Sequence, residues 1–192
     1  MTLPTPLPYG IRDVRITAYT DAGGTVLGSV VTDLPYGRTL SFSESEEFEE
    51  LRGDDRVVTT RGKGAVVDFE LESGGISLEA WKVMTGGTIT DTGTTPNKKR
   101  VFRKGGRQSR PWFLVEGQVI SDSGGDLHAI LYRCRITDTL EGSFEDGSFF
   151  LTSGSGQALP LLSDTADVLY DIVQNETAVA VSGTALTLPT TL

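Results

Sequence analysis

Apolar and polar residues alternate with a period of two along most of this chain, the spacing of strands with one dry and one wet face. Over residues 13–19, DVRITAY, Val14, Ile16 and Ala18 take one face while Arg15, Thr17 and Tyr19 take the other. In AVVDFELE, residues 65–72, Val67, Phe69 and Leu71 alternate with Asp68, Glu70 and Glu72. HAILYRCRIT, residues 128–137, sets Ile130, Tyr132, Cys134 and Ile136 against Leu131, Arg133 and Arg135. Turn-forming clusters separate these runs: DAGG (21–24), GDD (53–55), GKG (62–64), SDSGGD (121–126) and EDG (145–147). Strands and turns at this spacing predict a mainly β fold, an antiparallel β-sandwich or barrel.

One segment departs from that period. In GGISLEAWKVMTGG, residues 74–87, Ile76, Ala80, Val83 and Met84 form a helical stripe. Ser77 is placed to cap the N-terminus, Ile76 and Trp81 to staple it, and Gly86 to end it, which predicts one short flanking helix at about 77–85. From Gly86 to Pro111 apolar residues thin out, so 86–111 reads as a long loop with at most a short strand near Val101–Phe102. A loop of that length is generally functional or ordered by a partner. The expected organisation is a β-sandwich domain over 1–158, including that loop, and a C-terminal extension or arm over 159–192. Within the tail, DVLYDIVQ fits either a helix or a strand.

Composition narrows the chemistry. A single cysteine, Cys134, excludes an intramolecular disulfide and a thiolate metal cluster. The single histidine, His128, precedes it on the same predicted strand face by about 20 Å at strand rise, too far for a Cys–His pair. His128 therefore reads as a buried or half-buried strand residue. No glycine-rich nucleotide fingerprint links a strand to a helix, so neither a catalytic residue nor a cofactor or metal site is expected. A glycosidase pair cannot be singled out among 26 acids. No apolar run reaches the ~20 residues of a membrane span, and MTLPTPLPYG lacks the features of a signal peptide. These readings place assembly in a cytoplasm and predict no membrane anchor.

Charge is strongly segregated. The chain carries 17 basic and 26 acidic residues, a net charge of −9. Seven cations lie in NKKRVFRKGGRQSRPWF, residues 97–113, with no acid among them: Lys98, Lys99, Arg100, Arg103, Lys104, Arg107 and Arg110. Seven acids lie in ESEEFEELRGDD, residues 44–55: Glu44, Glu46, Glu47, Glu49, Glu50, Asp54 and Asp55. That run lacks the spacing of a calcium loop and continues the strand begun at TLSF. The basic stretch reads as a nucleic-acid arm or as a subunit interface whose complement is the acidic run.

Taken together, LPYGIRDVRIT, SESEEFEELRGDDRVV, VVDFELESGGISLEAWKVMTGGT, SRPWFLVEGQVISDSGGDLHAILYRCRIT and EGSFEDGSFFLTSGSGQAL, in this order over about residues 7–160, resemble the major tail tube protein of long-tailed bacteriophages. The resemblance implies a virion structural protein rather than an enzyme, assembled in the host bacterial cytoplasm. It implies a β-sandwich or barrel that forms stacked hexameric rings around the tape-measure protein and conducts double-stranded DNA without binding it specifically. Tail terminator and baseplate or distal tail proteins would be its further partners. Asp68, Glu70 and Glu72, or part of 44–55, are the candidate acids of the lumen. The alternatives are the inner tube protein of a contractile injection device and a monomeric acidic β-sandwich binding module or hydrolase.

Overall fold

The computed structural model describes residues 3–142, 144, 146–162 and 167–190. Ten strands and one helix follow in order: β1 (Pro8–Tyr19), β2 (Leu27–Asp33), β3 (Gly37–Gly53), β4 (Arg56–Gly74), α1 (Leu78–Thr85), β5 (Thr88–Thr92), β6 (Lys99–Arg103), β7 (Phe113–Ser121), β8 (Asp126–Gly142), β9 (Leu151–Leu159) and β10 (Tyr170–Asn175). Eight of the strands form one antiparallel sheet in the order β2-β1-β7-β8-β9-β4-β3, with β10 added to β8. β5 and β6 make a separate two-stranded sheet. The fold is thus mainly β and antiparallel, as alternation predicts, with one helix among the described residues, where the helical stripe of 76–84 predicts it.

The sheet wraps around a core that includes Val14, Ile16, Val67, Phe69, Leu71, Phe113, Val115, Leu131, Cys134 and Ile136. Phe69 and Phe113 meet edge to face, with ring centroids 6.1 Å apart. Helix α1 adds buried Ala80 and Met84 to this core, with Trp81 and Val83 half-buried against it. Ser77 caps the helix, its Oγ accepting from Ala80 N–H at 3.3 Å. Gly86, at φ 78°, ends it by donating its N–H to Lys82 O, a left-handed exit that a residue without Cβ adopts most easily.

On β9 the repeat Ser153-Gly154-Ser155-Gly156 turns hydroxyls outward and glycines inward. A Cβ on Gly156 would lie 2.1 Å from the carbonyl oxygen of Arg135. Only glycine lets β8 and β9 approach this closely.

Three elements differ from the sequence expectation. First, β8 does not keep one alternation. Its register against β7 shifts between the Phe113–Cys134 and Val115–Leu131 pairs, and this bulge exchanges the faces. Ile130 and Tyr132 belong to an outer cluster, whereas Cys134 and Ile136 lie with Leu131 in the core. His128 and Cys134 therefore occupy opposite faces rather than a shared one. Second, GKG (62–64) is not a turn but the interior of β4, opposite a register shift between Glu46 and Phe48. Third, the first part of 86–111 is a β-hairpin, Thr88–Thr92 paired to Lys99–Arg103; the second strand contains the expected Val101–Phe102 strand, the first is not expected from the sequence, and 104–111 is loop.

The outer cluster lies on the other side of the β1-β7-β8 region and contains Tyr19, Trp112, Leu114, Ile130 and Tyr132. Residues after 158 cover it: Leu161 and Val168 are part of it, and Leu186 and Leu188 pack against it. The tail thus supplies both β10 and a packed strap; its residues 163–166 and 191–192 lie outside the described residues.

Candidate assembly and lumen surfaces

β3 and β4 are 17 and 19 residues long, and only their base packs on the core. Beyond the Ser45–Val66 pair they continue as a two-stranded arm to a turn at Asp54 and Asp55. Both turn residues have positive φ, 49° and 61°, the backbone of a two-residue I′ turn that aspartate tolerates. At strand rise the arm extends about 25 Å. Its large apolar side chains are in solvent: Phe48 63%, Leu51 61% and Val58 62% exposed. The acids of 44–55 sit along this arm except Glu44, at its base, which accepts a hydrogen bond from Tyr170 Oη at 2.8 Å. That bond holds the Tyr170 phenol above its usual pKa. Contiguous in sequence, the acids are interleaved in space with cations: Arg52 pairs with Glu50 at 2.7 Å, and Lys63 lies 4.0 and 3.9 Å from Glu47 and Glu49.

The seven cations of 97–113 divide into two groups. Three bond within their own chain. Arg100 makes two bonds to Asp91, at 2.7 and 2.8 Å, and also meets Glu79 of α1. The Arg100 hydrogen bonds hold the Asp91 carboxyl below its usual pKa. Lys104 Nζ donates to Thr85 O at the C-terminal end of α1 and to Gln108 O at 2.8 Å, where the helix dipole favours a cation. Arg110 donates to Ile136 O at 2.9 Å and to Asp138 O. The other four, Lys98, Lys99, Arg103 and Arg107, are exposed and make no ion pair among the described residues. Within the chain, no ion pair joins these cations to the acids of 44–55 among the described residues.

Asp68, Glu70 and Glu72 share the outward face of β4, with Asp68 and Glu70 exposed and Glu72 half-buried. Opposite them on β3 stand Ser43, Ser41 and Thr39, and on β9 Gln157, Ser155 and Ser153. Gln157 donates to Asp68 at 3.0 Å, and Arg38 at the rim pairs with Glu72 at 3.3 Å. The result is a band of carboxylates among short hydroxyls, with no bulky apolar side chain in these three paired rows.

A second polar site, unread from sequence, lies under the C-terminal strap. His128 Nδ1 is 3.0 Å from Glu116 Oε1, and its Nε2 is 3.0 Å from both Asp126 Oδ2 and Val179 O. Gln118 Nε2 donates to Asp126 Oδ2 at 2.5 Å and to Val179 O at 2.8 Å. Asn175 Nδ2 and Val179 N–H donate to Asp126 at 2.8 and 2.9 Å. Burial alone would raise the Asp126 pKa, but hydrogen bonds from Asn175, Gln118, Val179 and His128 outweigh it and bring the value to about 2. Burial would lower the His128 pKa, and its hydrogen bonds to Glu116 and Asp126 reverse that, raising it. The sequence signal was the even positions Glu116 and Gln118, polar where Leu114 of the same face is apolar. Their partners on the strap are about 50 residues or more away in sequence, beyond the reach of any local pattern.

In the outer cluster Trp112 lies under two guanidinium groups, Arg133 at 4.2 Å and Arg135 at 3.8 Å from its ring centre. Burial lowers the pKa of both arginines. No group of metal-ligating side chains is present among the described residues. No protein-family model matches the chain, and no curated protein matches it.

Proposed function

We propose that this chain is the structural subunit of a phage-type tail tube, self-assembling into stacked hexameric rings around a channel that passes double-stranded DNA. The observation that carries this reading is the β3–β4 arm. An isolated two-stranded ribbon is marginal in water, and this one holds Phe48, Leu51 and Val58 in solvent without a packing surface from its own chain. Such a ribbon fits a segment that becomes ordered against another copy.

Two further features support the reading. β2 and β3 are the outer strands of an open sheet, and unpaired edges are what a monomer must blunt and an assembly uses. Pairing β3 of one copy with β2 of the next is a heterologous contact, and such contacts generate rings when the rotation closes. The band of Asp68, Glu70 and Glu72 suits the channel wall. DNA carries one negative charge per ~1.7 Å of axis and is gripped by basic surfaces through counterion release, so an acidic hydroxyl-lined wall lets it slide.

The test removes the arm. Replacing residues 46–65, which lie beyond the Ser45–Val66 pair, by a two-residue Asn-Gly turn should leave the melting temperature of the body near wild type, because these residues add nothing to the core. Assembly followed by light scattering should be lost. A variant that still assembles at the wild-type concentration dependence would refute the role given to the arm.

A further inference from the structure

The strap of residues 176–190 has no regular secondary structure. Its main chain is tied to the sheet at Val179, whose carbonyl accepts from Gln118 and faces His128 Nε2, and whose N–H donates to Asp126. Beyond that point Val181 is buried, and Leu186 and Leu188 are half-buried against the outer cluster. The histidine is 6% exposed and Asp126 1%, so water cannot readily replace a missing partner.

Every group facing the imidazole in the plane of its nitrogens is an acceptor. Nδ1 faces the Glu116 carboxylate from β7, while Nε2 faces the Asp126 carboxylate from β8 and the Val179 carbonyl from the strap. A neutral imidazole has one N–H and one lone pair. In either tautomer, that lone pair would point at a carboxylate in a site closed to solvent. With both carboxyls ionised, only the doubly protonated ring satisfies both sides.

The remaining charges nearby do not replace it. On β1, Arg15 stands opposite Glu116 but is paired with Asp13 at 3.2 Å. On β2, Asp33 stands opposite Arg15, and burial and its hydrogen bond with Asp13 raise its pKa. Tyr132 of β8 donates to Asp171 of β10 at 2.5 Å. β10 otherwise contributes neutral Asn175, and Glu176 of the strap is exposed. The seam is therefore rich in carboxylates, and His128 is the cation held between two of them.

We propose that Glu116, His128 and Asp126 form a proton-operated latch that keeps the C-terminal strap closed over the Trp112 face while His128 is charged and releases it when the ring loses its proton. Release would uncover Trp112, Leu114, Ile130 and Tyr132. The proposal is independent of the assembly reading. The sign follows from linkage: a histidine whose closed-state pKa is raised stabilises the closed state fully below its open-state value and loses that effect as pH rises through the closed-state value. The opening equilibrium should therefore grow by up to about tenfold per pH unit above about pH 6.5, until the closed-state pKa is passed.

Amide hydrogen exchange on the full chain tests this, with rates at pH 5.5 and pH 8.5 corrected for the intrinsic pH dependence of exchange. Protection of the Val179 amide, whose N–H is bonded to Asp126, should fall at least about tenfold over that range, while protection of β7 and β8 amides within the core stays level. His128→Gln should give low Val179 protection at both pH values. Unchanged Val179 protection in the wild type, or a pH response that persists in His128→Gln, would overturn the latch. Should His128→Gln fail to fold, the wild-type protein still decides the matter. It has one histidine, so selective 15N labelling reports on that ring alone. Both ring nitrogens should be protonated at pH 6.5, losing a proton in step with strap opening. A neutral tautomer at pH 6.5 would contradict the proposal.

Discussion

At the scale of single residues the fold rests on close contacts that tolerate little change. Gly156 is one. An added methyl group would collide with the β8 main chain, which cannot rotate away as a side chain could, so Gly156→Ala should destabilise the protein by about 1–3 kcal/mol in urea unfolding. Asp126 is another, with four hydrogen bonds from donors on four segments, β7, β8, β10 and the strap. Because its pKa is depressed to about 2 from 3.8, its ionisation contributes stability that is present above pH 4 and is lost as pH falls toward 2. A shift of this size corresponds to about 2 kcal/mol. Urea midpoints between pH 5 and pH 2 should show that slope, and Asp126→Asn should lack it while being less stable near neutrality. Of these residues the sequence announced only part. The Ser-Gly repeat of 153–156 shows in its spelling, but that Gly156 meets backbone depends on how β8 and β9 approach. The buried character of His128 was legible, whereas its partners Glu116, Asp126 and Val179 required the tail to fold back over the sheet.

At the scale of elements, alternation and capping chemistry were legible because they are local. The Ser77 cap and Gly86 exit follow from residues within one turn of α1, and the alternation of 65–72 matches the burial of β4. The face assignment of β8 failed at the bulge, since a bulge adds a residue without leaving a compositional mark. The 86–111 segment was legible only in part because its strands are held by Arg100–Asp91 and by Phe102 against Trp81, with ring centroids 6.4 Å apart, rather than by an apolar face of their own. The hairpin also sharpens the charge test. Reversing Arg100 to Glu would break contacts with Asp91 and Glu79 and so confound folding with assembly. Reversing Lys98, Lys99 and Arg103 should leave the melting temperature within a few degrees, since exposed pairs are worth only ~0–1 kcal/mol each. The same variant should slow assembly measured by light scattering, and lysines at Glu46, Glu47 and Glu49 should partly restore the rate. A reversed hairpin that assembles normally but loses wild-type DNA binding would instead make it a nucleic-acid arm.

At the scale of the whole molecule, three features recur on one body: a ribbon without a packing surface, two unpaired sheet edges, and an acidic band of hydroxyl-rich sheet. The first two are liabilities for a monomer, since apolar side chains in water and open edges favour promiscuous association. Each becomes useful in a closed ring, where edges pair, the ribbon docks and the acidic band lines a channel. Sequence patterns reached several of the strands and the helix of this body but not its packing, because the path of the tail and the projection of the arm are set by contacts distant along the chain. The most direct measurement is negative-stain electron microscopy of the purified protein across a rising concentration series. Rings of six subunits, or tubes of stacked rings, are the predicted result. A monomer that persists to the highest concentration reached, with the arm still in solvent, would contradict the account.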